Sequence, residues 1–433
     1  MSEMILDVPI LTRVEGEGGL TVRLKDGKIE SVQLRIYEPP RLFESLLRGR
    51  PLENVPDITA RICGICPVAY QMSSVHALEA ALGIQVSHEI HELRRLLYCG
   101  EWIESHALHI HLLHAPDFFG CASGIELAER FPTEVKRGLE LKKYGNELLE
   151  VLAGRAIHPI NVAVGGFYRL PDRDKLREMI PKLEWGLQAS VDTTKWVAGL
   201  DFPKLSNTYE CVALSNPDEY AMSVGTITST GGVSCSPAEY SLNFCERQVP
   251  HSTALQAVRI PQETSYLVGP IARLNLNRDQ LSPISKQLAD EVSFPAPCTN
   301  PYQAIVARGI ELTYAFEEAL RIIKNYERRG PARIEYSPSN SWGAAATEAP
   351  RGLLYHRYEI DDAGKIQAAD IVPPTSQNQG QIEADLRSDL LREMAAGNQD
   401  RSALELQCER LVRSYDPCIS CATHFLPVRW EES

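Results

Sequence analysis

Two Cys-x-x-Cys pairs stand near opposite ends of this 433-residue chain, Cys63/Cys66 in "RICGIC" and Cys418/Cys421 in "DPCISC", with none between them. Four thiolates are the donor set of a single tetrahedral metal site. If both pairs serve one site, the head and tail of the chain must meet inside the folded body. Everything between them then has to be built around that meeting point. The remaining cysteines, Cys99, Cys121, Cys211, Cys235, Cys245, Cys298 and Cys408, are scattered singly and read as small buried hydrophobes. An odd total of eleven fits a reducing compartment better than a disulfide framework.

The pattern between the pairs predicts a mainly α chain with small β pieces (α+β), a large helical body carrying an N-terminal and a late β-hairpin. "GLTVRLKDGKIESVQLRIYE" alternates apolar and polar residues on both sides of Asp26-Gly27, a hairpin signal. Helical periodicity predicts a short helix at "LFESLLRG" and longer ones at Pro67–Leu82, His88–His114, Thr133–Leu152, Arg173–Ala198 and Tyr302–Arg328. "ARIEYS" reads as a strand, and "GLLYHRYEIDDAGKIQAADIV" as a hairpin turning at Asp362-Ala363-Gly364. Helices near Ile382–Ala396 and Ser402–Ser414 close the chain. The expected organisation is one domain over residues 1–433, with a candidate subdomain excursion at 206–241. A net charge of -13 without a basic block argues against nucleic-acid binding. The absence of a signal-peptide pattern and of any run of 18 apolar residues predicts no membrane span, and a cytoplasmic location.

Four thiolates alone leave three chemistries open: a structural zinc clamp, a redox-active pair and a cubane iron–sulfur cluster. The zinc reading is weakened because such ions organise small local modules, and this chain is long enough for a core of its own. A thioredoxin-like pair needs a strand leading into a helix, whereas "DPCISC" follows a helix.

The residues around the cysteines narrow this choice. "RICGIC", "DPCISCATH", an early "RVEGEG" (Arg13 to Gly18), "LFESLLRGR" and "EAPRG" (Glu348 to Gly352) occur in that family's order, and together the chain resembles the large, catalytic subunit of nickel–iron hydrogenases. The resemblance implies the hydrogenase large-subunit fold and reversible heterolytic cleavage of H2. Dihydrogen is a very weak acid with no lone pair, so cleavage needs a Lewis acid for the electron pair and a base for the proton. Soft thiolates suit low-valent nickel and iron.

By the same resemblance, Cys63, Cys66, Cys418 and Cys421 hold nickel. Cys66 and Cys421 also bridge to an iron carrying carbon monoxide and cyanide, and Cys418 is a terminal ligand able to accept the proton. Glu15 matches the carboxylate that relays that proton; burial would raise its pKa toward the working range. Arg351 matches a guanidinium over the open metal position, with Asp416 as its counter-charge. Glu44, His424 and the carbonyl at about Asp370 match the ligands of a magnesium-type ion near the C-terminus.

The sequence also departs from the family pattern. Tyr70 replaces a histidine four positions after Cys66. In "DIVPPTSQN", Pro373 and Pro374 occupy the neighbourhood of a cyanide-binding serine; Pro374 has no donor, and Thr375 is the nearest substitute. Ser105 falls where an aspartate often holds the arginine, so Arg351 is expected to be less rigidly held. In the histidine run His76 to His114, helix packing is the preferred reading, and His106 and His109 are expected to line the metal site's surroundings.

These departures resemble the soluble bidirectional branch coupled to NAD(P), with a deazaflavin- or other-carrier-coupled enzyme as the alternative. No further cysteine grouping suits an iron–sulfur wire, and no Gly-x-Gly-x-x-Gly follows a strand. Iron–sulfur clusters are therefore expected only in a small-subunit partner, and nucleotide reduction in flavin/NAD(P)-binding subunits. The resemblance implies that a maturation protease removes residues 425–433 after nickel insertion. Two other classes stay in view. One is a quinone-reductase relative, which lacks the four cysteines; the other is a zinc-stabilised scaffold subunit.

Overall fold

A computed structural model describes residues 3–423. His424 and the expected tail, 425–433, lie outside the described residues.

The N-terminal hairpin forms as expected. Strands Glu3–Val8, Gly18–Lys25 and Lys28–Ile36 make an antiparallel sheet in chain order. Asp26 (φ 49°) and Gly27 (φ 75°) both take the left-handed conformation, the turn whose twist matches the strands it joins. Alternate residues Leu20, Val22, Leu24, Val32 and Leu34 are buried. The late hairpin pairs Gly352–Ile360 with Ile366–Val372. Its turn is closed by the Asp361 carboxylate, which accepts the Ala363 and Lys365 N–H groups at 2.9 Å each.

Four long helices, His88–Leu108, Pro132–Ala153, Ile180–Ala198 and Ala304–Asn325, pack on one another as the main body. The helix Pro67–Leu82 lies between Val55–Ala60, His88–Leu108 and the late sheet, and most of its residues are buried. Its buried polar residues Gln71, Ser73, Ser74 and Glu79 each have a hydrogen-bond partner, as such enclosure requires.

Several expectations are corrected. "ARIEYS" is not a strand; only Arg333 makes an isolated bridge, to Gly166. The segment Arg173–Ala198 is two helices, Arg173–Glu178 and Ile180–Ala198, because Pro181 has no amide hydrogen to continue the first. His88–His114 is α-helical only to Leu108 and continues as a π-helical stretch, His109–His114. The helix expected from Ile382 starts eight residues earlier, at Pro374. The strand Ser341–Ala349, "SWGAAATEA", was not anticipated, since alanine-rich runs favour helix and only pairing with Gly352–Ile360 overrides that preference. Within 206–241, strands Val212–Ser215, Thr226–Ser229 and Ser234–Cys235 form a small sheet. Its apolar residues join Leu353, Tyr355 and Val372 in a cluster separate from the main core.

Gly343 marks the tightest approach of the late sheet to the helix Pro67–Leu82. A Cβ there would sit 2.3 Å from both Ala77 O and Ala81 N, backbone atoms that cannot rotate away. Gly343→Ala is expected to cost about 1–3 kcal/mol in unfolding free energy, read as a lower denaturant midpoint at constant slope. An unchanged midpoint would show that the two elements can separate without cost.

Candidate metal centre

The first pair sits in the loop between helices Val55–Ala60 and Pro67–Leu82. The Cys63 sulfur accepts the Ile65 and Cys66 N–H groups at 3.3 and 3.2 Å, which curls the loop around it. Pro67 then opens the next helix, whose free N–H groups find no local cap. Glu101, on His88–Leu108, supplies one from outside by accepting Val68 N–H at 2.6 Å and Ala69 N–H at 3.1 Å.

The second pair follows the helix Arg401–Ser414. Successive carbonyls at its exit are each held by a buried donor. His109 Nε2 lies 2.8 Å from Arg413 O, Arg308 donates to Ser414 O and Tyr415 O at 3.0 and 3.2 Å, and Arg351 Nε donates to Asp416 O at 2.7 Å. Beyond them, Cys418 N–H donates to Thr375 Oγ1 at 3.0 Å and Ile419 N–H to Glu15 O at 2.8 Å. Arg41 ties the two loops together, donating to Ile62 O beside the first pair and to Ser420 O beside the second.

These restraints bring all four sulfurs together, buried and within 4.8 Å of one another. Cys63 and Cys418 are 3.6 Å apart, and Cys66 and Cys421 are 3.9 Å apart. The Cys418 and Cys421 sulfurs are crowded against each other, and a metal would take both as thiolates. Burial pushes the Cys63 thiol up, but the hydrogen bond with Cys66 and the Arg351 charge outweigh it and hold Cys63 below the ordinary thiol range. Cys66 is driven the other way, by its hydrogen bond to Cys63 and by burial.

The other expected residues divide into those at the sulfurs and those further off. Glu15 Oε2 stands 3.0 Å from the Cys418 sulfur and accepts Ser420 N–H at 3.1 Å. Its side chain is half-buried rather than buried, on the loop that leads into the strand Gly18–Lys25. Gly16 (φ 86°) allows the close approach, since a Cβ there would sit 2.7 Å from Ser420 N.

Arg351 is buried, and Asp416 holds it twice, through its carbonyl and through Oδ1 at 3.1 Å. Asp416 thus pairs with Arg351, whereas Ser105 makes no described hydrogen bond to it. Burial opposes its charge, but Asp416, Cys66 and Cys63 outweigh this and raise its pKa further. Thr375 reaches the site through the Cys418 amide, and Pro373 precedes its helix. Tyr70 is buried with its ring 5.7 Å from that of His356.

His109 supports the backbone leading into the second pair. His106 turns instead to Glu311, at 3.0 Å. Neither has a described contact with a sulfur. Glu44 is buried and accepts Ile371 N–H at 2.7 Å, next to Asp370, whose own carboxylate pairs with Arg357 at 3.0 Å. The third expected ligand, His424, is outside the described residues.

Sequence reasoning missed Arg41, Glu101 and Arg308, which lie outside the cysteine motifs and act on backbone far away in the chain. Ser376 was missed as well; its buried hydroxyl has no described partner and sits one residue beyond Thr375. Arg351 Nη1 and Asp416 Oδ2 are likewise buried without a described partner. A soft four-sulfur donor set with unused polar atoms beside it fits a sulfur-held metal centre that brings polar ligands of its own.

Comparison with known proteins agrees. The profile of the nickel-dependent hydrogenases matches residues 41–130 and 256–424, which contain both cysteine pairs. The alpha subunit of sulfhydrogenase 1 from Pyrococcus furiosus is 32% identical over 430 residues, covering 98% of this chain and 99% of that one. The beta subunit of the NAD-reducing hydrogenase HoxS from Cupriavidus necator is 27% identical, covering 98% and 96%. A crystal structure of an NAD+-reducing [NiFe]-hydrogenase in its H2-reduced state shares the fold with a TM-score of 0.87 at 24% identity, covering 98% of this chain and 100% of that one. A profile that spans both ends of the chain and a relative aligned along its whole length show that this protein belongs to the nickel-dependent hydrogenases, as a large subunit.

Proposed function

We propose that this chain cleaves and forms H2 at a nickel–iron centre held by Cys63, Cys66, Cys418 and Cys421. The observation that carries the reading is the convergence of four buried sulfurs with a carboxylate 3.0 Å from one of them and a buried guanidinium beside them. When bound, the centre supplies the Lewis acid that polarises H2 and the redox couple that takes its two electrons. The iron would bring carbon monoxide and cyanide as its own ligands, and Cys66 and Cys421 would hold it together with nickel.

The protein's own groups handle the proton. Cys418 Sγ accepts it, and Glu15 Oε2 lies within hydrogen-bond reach to take it on. Ser420 N–H fixes that carboxylate oxygen, so transfer needs no large rearrangement. Arg351, kept charged and held twice by Asp416, presents its free Nη1 to the polar ligands of the centre. Thr375, with Pro373 beside it, would face the diatomic ligands, while Tyr70, His106 and His109 would act only through the groups they pack against or hold. Glu44, the Asp370 carbonyl and His424 hold a magnesium-type ion that secures the chain end.

Electrons would leave through an iron–sulfur small subunit in the cytoplasm and pass to flavin- and NAD(P)-binding subunits, a reading supported by the 27% identity to a subunit of an NAD-reducing hydrogenase. The higher identity to the sulfhydrogenase chain favours a second reading, in which the acceptor is a sulfur compound. H2-dependent reduction by the purified complex, measured in turn with NAD+, NADP+, a deazaflavin and polysulfide, separates the two readings. A maturation protease is proposed to remove 425–433, and a full-length intact mass in the active protein would reject that step.

Nickel and iron in the purified protein, together with infrared bands from carbon monoxide and cyanide, are the expected outcome of metal analysis. Zinc alone would overturn the reading. Glu15→Gln is expected to keep both metals and lose about 10²–10⁴-fold in H/D exchange with solvent, because an amide cannot pass a proton as a carboxylate does. Unchanged exchange would remove Glu15 from the path.

A further inference from the structure

Arg351 stands at the end of the stretch Glu348–Arg351, two strand residues and the hairpin turn after them, which a second buried arginine grips from behind. Arg273, on the helix Pro270–Asn277, is fully buried. Its Nε and Nη2 donate to the two carboxylate oxygens of Glu311 at 2.7 Å each. Its Nη1 donates to Glu348 Oε2 at 3.0 Å and to Ala349 O at 2.9 Å, and Nη2 donates to Pro350 O at 3.0 Å. These bonds use all five N–H donors of a guanidinium, three of them on the stretch that ends in Arg351.

Neighbouring groups leave this arrangement little freedom. Tyr220 donates to Glu311 Oε1 at 2.8 Å, and His106 Nε2 lies 3.0 Å from Oε2, so the anchoring carboxylate cannot rotate. Trp102 Nε1 donates to Glu348 O at 3.1 Å, while the Arg273 guanidinium lies 4.5 Å from the centroid of the same indole. The helix that carries Arg273 also touches the Arg351 backbone directly. A Cβ at Gly269 (φ 111°) would stand 2.8 Å from Arg351 O, and one at Gly352 (φ 134°) would stand 2.7 Å from Gly269 N.

We infer that Arg273 is a positioning residue, whose planar fork fixes the Glu348–Pro350 stretch and thereby sets where the Arg351 guanidinium stands at the centre. The inference rests on the proposed nickel–iron reading of the site. Burial would raise the Glu311 carboxyl, yet Arg273 outweighs burial and holds it at about 2, so the anchor stays ionised. Lysine cannot replace Arg273: it offers three donors on one atom and cannot span a carboxylate and two carbonyls at once.

The test uses the assembled holoenzyme with Arg273→Lys, Arg351→Lys and the double variant, each measured for nickel and iron content, infrared bands of the diatomic ligands, and kcat and KM for H2. Arg273→Lys is expected to keep both metals and to shift the cyanide bands in the direction that Arg351→Lys shifts them. It should lower kcat on the order of 10²-fold with little change in KM. Because Arg273 acts through Arg351, the double variant is expected to lose no more than Arg351→Lys alone. Losses that multiply in the double variant, or unshifted bands in a fully metallated Arg273→Lys protein, would overturn the inference. If Arg273→Lys does not fold, Glu311→Gln decides by the same band readout, since it keeps the anchor's shape and removes its charge; shifted bands support the inference and unshifted bands reject it. Absence of diatomic bands in the wild-type protein would reject the nickel–iron reading itself, an outcome distinct from unshifted bands in the variants.

Discussion

The structure depends on seating the last segment of the chain against its first sixty-odd residues in a water-poor interior. The segment from Arg413 to Thr423 begins at the end of the helix Arg401–Ser414, belongs to no sheet and closes in a short helix, Ile419–Ala422, so its buried backbone groups need partners from elsewhere. They find them one after another in His109, Arg308, Arg351, Thr375, Glu15 and Arg41. Each donor or acceptor comes from a different part of the fold. The four sulfurs therefore converge only once the helical body, the N-terminal loop and the late hairpin are all in place.

Charge is the second organising quantity. Arg94, Arg95, Arg273, Arg308 and Arg413 are among the largest fully buried side chains, which is costly unless each is neutralised. Arg94 meets Glu79, Arg95 meets Glu318, Arg273 meets Glu311 and Glu348, and Arg413 meets Asp117. Arg308 is different, since its described hydrogen bonds go to the Ser414 and Tyr415 carbonyls and not to a carboxylate. Burial pulls its pKa down to about 10, partly offset by the nearby Asp416, yet it remains charged at neutral pH. An anionic thiolate-held centre close to Asp416 would balance a positive charge left in this position.

The site was readable to unequal degrees. The cysteines, Glu15, Arg351 and Asp416, which the fold brings together, were legible because each sits in a short local motif. The hairpin at Asp26-Gly27 was legible for a similar reason, since turn chemistry is local. Arg41, Glu101, Arg273 and Arg308 carried no such signal. Each acts on backbone or side-chain atoms dozens to hundreds of positions away, and in the sequence each resembles any charged residue on an amphipathic helix. The strand Ser341–Ala349 was hidden because its composition favours the wrong local structure. The interruption at His109–His114 was hidden because the histidine run keeps an unbroken helical pattern.

The amino-acid sequence by itself determined which atoms could hold a soft metal, which turns reverse the chain and which segments have one apolar face, because these properties belong to single residues or to spacings of a few residues. It did not determine how Arg351 is held. Its reading named Asp416 as the counter-charge, but not the paired grip in which Arg351 Nε meets the Asp416 carbonyl and Nη2 meets Oδ1. Only the tertiary structure could decide this, because a hydrogen bond across the fold depends on where two backbones have been brought, and that is settled by the packing of everything between them.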